Sequence, residues 1–91
     1  MPKYFEARME DLVTLKEAIA NNEFSTIKRI GHRIKGSAKS YGFANVGDLS
    51  SDLETAAEQG LSADCRILIE KIEEEILLAK KSFESPPEAS S

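Results

Sequence analysis

The sequence predicts an all-α fold, an antiparallel up-down-up-down four-helix bundle. Three observations point there. Apolar residues recur at helical spacing in four successive stretches, and no stretch shows the period-two alternation of a half-buried strand. Glycine and proline, 5 and 3 in 91 residues, are sparse and fall mostly between or at the ends of those stretches. The intervening segments are only a few residues long, which makes consecutive helices antiparallel neighbours.

The first helix is expected from about Lys3 to Asn21. Pro2 suits a helix opening, and Phe5, Met9, Leu12 and Ile19 share one face before Asn21 and Asn22 end it. The second runs from about Glu23 or Phe24 to Ser40. Phe24, Ile27, Ile30, Ile34 and Ala38 form its stripe, and Tyr41 and Gly42 close it. The third covers about Ala44 to Gln59, with Val46, Leu49, Leu53, Ala56 and Ala57 inward and Gly60 as the stop. In the fourth, Ser62 is the expected N-cap and Asp64 sits in the positive first turn. Its stripe is Cys65, Leu68, Ile69, Ile72, Ile76, Ala79 and Phe83, and Lys80 and Lys81 suit its negative end.

Residues 1–84 therefore form one domain, and Ser85 to Ser91, rich in proline and serine, reads as a flexible tail. Cys65 is the only cysteine, so no intramolecular disulfide can form, and its place on the apolar stripe makes it a small hydrophobe. No Cys/His cluster offers metal ligands. The longest apolar run, Ile76 to Ala79, is far short of the roughly 20 residues of a membrane span. A cytoplasmic monomer is expected, without membrane contact.

Net charge is -4, from 12 basic and 16 acidic side chains, which argues against nucleic acid as the partner of the whole molecule. The distribution is uneven. Between Phe24 and Gly47 stand Lys28, Arg29, Arg33, Lys35 and Lys39, no carboxylate, and the chain's one histidine, His32. On a helical wheel with Ile27 at zero, the core stripe lies within about 60°, whereas His32 falls near 140°. Lys28, Lys35 and Lys39 lie on the histidine's side, near 100°, 80° and 120°, with Gly36 near 180°. Gly31 and Gly36 bracket the histidine, and each costs the helix roughly 1 kcal/mol relative to alanine, which marks a close approach. Gly36, one turn beyond His32, leaves one edge of the ring open.

An exposed imidazole among lysines has four roles to choose from: metal ligand, general base, nucleophile or idle surface residue. Its cationic surroundings and the lack of a second ligand one turn away disfavour a metal. A general base needs a substrate cleft, which a filled bundle does not offer. A nucleophile that accepts a phosphoryl group fits better, because a lysine one turn away offsets the product's roughly two negative charges.

The run His32-Arg33-Ile34-Lys35-Gly36-Ser37, followed by Gly42 and then by Leu49, Leu53 and Glu54, resembles the histidine-containing phosphotransfer (HPt) domain and its HxxKG motif with a second glycine six residues on. The likeness begins in the first helix and reaches about Phe83. It implies a phosphorelay intermediate, in which His32 takes a phosphoryl group from one receiver-domain aspartate and passes it to another. No cofactor is implied for the chain itself, since the Mg²⁺ belongs to the receiver. It also implies that the third-helix residue opposite the histidine, commonly Gln or Glu, bonds one ring nitrogen. By spacing that residue is Glu54, near 140° when Leu49 is set at zero. A carboxylate there would hold a proton on Nδ1 and leave Nε2 to attack. Glutamate at this place is similar to the phosphotransfer domain of chemotaxis-type kinases, and leaves both a kinase and a receiver open as phosphoryl source.

The expected site is thus His32 with Lys35, Gly36 and Glu54, and the expected receiver-facing residues are Lys28, Gly31, Lys39 and Tyr41. Lys28 and Lys39 also serve as solubilising charge, and for Tyr41 core packing is the favoured job, with a partner surface as the alternative. Two other functions compete: a helical module that binds nucleic acid through its basic face, and a scaffolding bundle without phosphotransfer.

Overall fold

Four α-helices follow the four apolar stripes: α1 (Lys3–Ala20), α2 (Phe24–Tyr41), α3 (Ala44–Glu58) and α4 (Ser62–Glu84). This computed structural model describes residues 3–84. The expectations for Pro2, the Phe83 side chain and the 85–91 tail lie outside the described residues.

The first three helices end with one device. Asn22, Gly42 and Gly60 take left-handed conformations, with φ of 54°, 77° and 68°. The following residue then donates its N–H to the carbonyl five residues back: Glu23 to Ala18 at 2.8 Å, Phe43 to Ala38 at 2.9 Å and Leu61 to Ala56 at 3.0 Å. This Schellman closure satisfies otherwise orphaned carbonyls and reverses the chain within two or three residues. Glycine reaches that conformation without a Cβ penalty, and asparagine is among the few other residues that reach it readily. Ser62 is not the N-cap of α4, contrary to the sequence pattern. The turn at Gly60 aims the Leu61 carbonyl to accept the first helical bond, from the Cys65 N–H at 2.9 Å, so the cap falls one residue earlier and carries no hydroxyl.

Consecutive helices pack against one another, and α1 closes on α4, giving the four-helix ring that the connection lengths required. Ile27, Ile34, Leu53, Ile72 and Ile76 are wholly buried at its centre, each contributing on the order of 2 kcal/mol through apolar area removed from water. Cys65 lies among them with no exposed surface. Met9, Phe24, Leu49, Leu68 and Ala79 cover the margins of this core. No described helix is long and apolar enough to cross a membrane.

The α2–α3 seam is built from small residues. Gly31, Ala38, Gly47 and Ser50 are all buried along it. A Cβ on Gly31 would stand 3.4 Å from both the Ser50 carbonyl oxygen and Glu54 Cγ, and one on Gly47 would lie 3.8 Å from Ala38 Cβ. Gly31, expected to face a receiver because it stands beside the histidine, is instead buried in this seam. The close approach it allows is internal, and it brings the outer edge of α3 up to that of α2.

Candidate functional site

His32 rises from the outer face of α2 with 73% of its side chain exposed, and Glu54 of α3 sits beside it with 15% exposed. The ring's Nδ1 lies 3.1 Å from Glu54 Oε2. The other carboxylate oxygen, Oε1, takes the Lys35 ammonium at 2.6 Å. Partial burial pushes the Glu54 carboxyl up, but the bonds from Lys35 and His32 outweigh it and hold the group below its ordinary value. An ionised carboxylate only accepts hydrogen bonds, so the proton of the neutral imidazole resides on Nδ1. Nε2 then carries a lone pair directed away from Glu54, on an exposed ring.

Gly36, one turn beyond His32, is exposed, and a Cβ there would meet nothing within 4 Å. Nothing inside the fold demands this glycine; the space it leaves is on the outside, next to the ring. A shallow concavity on the other side of the histidine is lined by Ser25, Lys28, Arg29, His32 and Glu54.

Lys35, expected beside a phosphoryl group, is paired with Glu54. Lys28 pairs with Glu58 of α3 at 2.6 Å, with both side chains about half exposed or more, a pair that adds little to stability. Lys39 lies on the histidine's face two turns further along and is exposed. Tyr41 is also exposed, but its ring packs 4.5 Å from that of Tyr4 on α1. Nine residues separate it from His32, which on a helix is half a turn around the axis and about 13 Å along it. Tyr41 thus does not share the histidine's face: the aromatic ends of α1 and α2 draw it to the opposite side.

Two features of the site's frame escaped the sequence reading. Asp11 of α1, with 3% of its side chain exposed, pairs with Arg8 at 2.7 Å and with Arg33, the residue after His32. Arg8 is itself buried and lies over the Tyr4 ring, its guanidinium 5.3 Å from the centroid. This knot ties α1 to α2 on the flank of α2 next to the histidine. The signal was present, because Arg8 falls on the wheel between Phe5, Leu12 and Leu15, and a buried guanidinium demands a carboxylate partner within reach. The second is the small-residue seam, whose signal was the position of Gly31 about 40° from Ile27, inside the buried stripe.

A family model described as the Hpt domain matches residues 3–81. The comparisons with curated proteins and with solved structures return no match. The matched span begins with α1, contains the whole His32–Glu54–Lys35 arrangement and ends within α4, and on that coverage the chain belongs to the Hpt domain family, whose members are phosphocarrier modules of phosphorelays.

Proposed function

We propose that this chain carries a phosphoryl group on Nε2 of His32, taking it from the phosphorylated aspartate of one receiver domain and delivering it to another. The observation that carries this reading is the Nδ1 to Glu54 contact at 3.1 Å on a ring that is 73% exposed. In the forward step the Nε2 lone pair attacks phosphorus, the bond from phosphorus to the aspartyl oxygen breaks, and the receiver carboxylate leaves with that electron pair. The ring gains positive charge as the new P–N bond forms. Glu54, already bonded to Nδ1–H, offsets that charge without reorganising. The reverse step passes through the same atoms.

Gly36 leaves the approach to the ring open, and Lys35 holds Glu54 in place. The Mg²⁺ is the receiver's contribution. The chain acts as a stoichiometric intermediate rather than as an enzyme that turns over a small substrate, and works as a cytoplasmic monomer. A nucleic-acid role is disfavoured, since three of the five basic side chains of the cationic segment are paired with carboxylates: Lys28 with Glu58, Arg33 with Asp11 and Lys35 with Glu54. The test is His32→Gln. That variant should keep its helix content and lose all acid-labile phosphorylation by a phosphorylated receiver. Continued labelling at the wild-type level would refute the reading.

A further inference from the structure

The outer face of α2 presents more cations than it presents unpaired positive charge. Lys28 is offset by Glu58 and Lys35 by Glu54, each at 2.6 Å. Arg33, on the flank toward α1, is held by Asp11. Among the described residues no carboxylate pairs with Arg29 or Lys39. Lys39 is seven residues from His32, about 10 Å along the axis. Arg29 is three residues away, which sets its Cβ about 5–6 Å from that of His32.

Direction matters as much as distance. Helical side chains lean back toward the N-terminus, so the His32 ring overhangs the turn that carries Arg29 rather than the turn that carries Gly36. Arg29 and His32 line one concavity together with Ser25, Lys28 and Glu54. A phosphoryl group on nitrogen brings roughly two negative charges and three acceptor oxygens. The planar fork of an arginine matches such a group with two parallel hydrogen bonds, which an ammonium does not.

We propose that Arg29 contacts the phosphoryl group as it forms on His32, supplying the positive charge that Lys35, bound to Glu54, does not leave free. This rests on the reading of His32 as phosphoryl acceptor. Phosphoramidate, a small donor, tests it without any receiver. The Nε2 lone pair forms the new P–N bond while the donor's own P–N bond breaks and ammonia leaves. Loading of the purified chain is followed by intact mass and by ³¹P NMR, with helix content checked by circular dichroism.

Arg29→Ala should load roughly tenfold more slowly, the worth of one charge-assisted contact. Arg29→Lys should recover part of that rate, and Arg29→Gln should not. Arg66→Ala, the same change of charge on an exposed position of α4, should load like the wild type. Wild-type loading with an unchanged Arg29→Ala rate would overturn the Arg29 proposal alone, as would an equal loss in Arg66→Ala. No loading of the wild type, or loading of His32→Gln, would overturn the His32 reading and the Arg29 proposal together.

Discussion

Gly31 and Ser50 set the spacing between α2 and α3: a Cβ on the glycine would stand 3.4 Å from the serine's carbonyl oxygen. That distance is ordinary van der Waals contact, so one methyl group fits and a longer side chain does not. Because Glu54 is carried on α3 one turn beyond Ser50, the same spacing determines whether its carboxylate reaches the histidine.

Gly31→Ala is therefore expected to fold with stability equal to wild type or higher by up to about 1 kcal/mol, from helix propensity. Gly31→Leu should lose about 1–3 kcal/mol by overpacking against Ser50, Leu53 and Glu54. It should also break the Nδ1 bond, visible as a shift of the imidazole ¹⁵N resonances. Urea unfolding decides the first part, and a leucine variant as stable as the wild type would contradict this account of the seam.

Ser50 offers a second probe of the seam. Its hydroxyl is buried with no hydrogen-bond partner. Ser50→Ala keeps the size the seam needs and removes an unsatisfied group, whose burial carries a penalty of about 1–3 kcal/mol. The variant should melt at a higher temperature than the wild type, and a lower midpoint would show that the hydroxyl is satisfied in solution.

Gly36 presents the opposite case, because nothing lies within 4 Å of its Cβ position. Gly36→Ala should raise stability by about 1 kcal/mol, since an open helical site gains from alanine's propensity. Gly36→Gln should keep its helix content yet slow phosphotransfer from a receiver, by filling the space through which the partner reaches the ring. A stopped time course with each variant separates the two effects, and unchanged transfer in Gly36→Gln would remove the access role.

These contrasts show which parts of the molecule a sequence exposes. The four helices and the outward histidine followed from the spacing of residues such as Ile27, Ile30 and Ile34, because burial on one face imposes a period that survives in one dimension. Glu54 was placed by resemblance, and its contact with His32 needed the actual approach of α3. The two glycines of α2 looked alike in sequence and proved opposite, one inside a seam and one in open space, because a missing side chain does not say which neighbour it makes room for. Arg8 and Asp11 were hidden for a related reason: charged residues count as surface unless a partner is known, and Arg33, their third member, lies 22 residues from Asp11.

The Arg8–Asp11–Arg33 knot yields its own prediction. Removing Asp11 leaves the buried Arg8 guanidinium without its carboxylate, so Asp11→Ala should destabilise by about 3–5 kcal/mol. Arg33→Ala removes a half-exposed partner and should cost about 1 kcal/mol or less. Equal losses in denaturant unfolding would show that burial is not what makes this cluster matter.

Glu54 links stability to pH, and the sign follows from its lowered folded-state pKa. A carboxyl depressed on folding stabilises the native state while it is ionised in both states, above its unfolded value near 4.5. That contribution disappears as the pH falls from there through the lower folded value, where protonation frees Lys35 and weakens the hold on Nδ1. Glu54→Gln retains an acceptor for Nδ1–H but has no charge to lose. The wild type should therefore lose more stability than Glu54→Gln between pH 6 and pH 3, and the difference between the two urea-midpoint curves isolates this one carboxyl from the other acids. Near neutral pH, Glu54→Gln should still accept a phosphoryl group, because the tautomer is preserved, whereas Glu54→Ala, which leaves Nδ1 without a protein partner, should load far more slowly. Parallel pH curves for wild type and Glu54→Gln would mean that the bonds from Lys35 and His32 do not hold the carboxylate in solution, and equal loading of all three proteins would mean that the proton on Nδ1 needs no fixed acceptor.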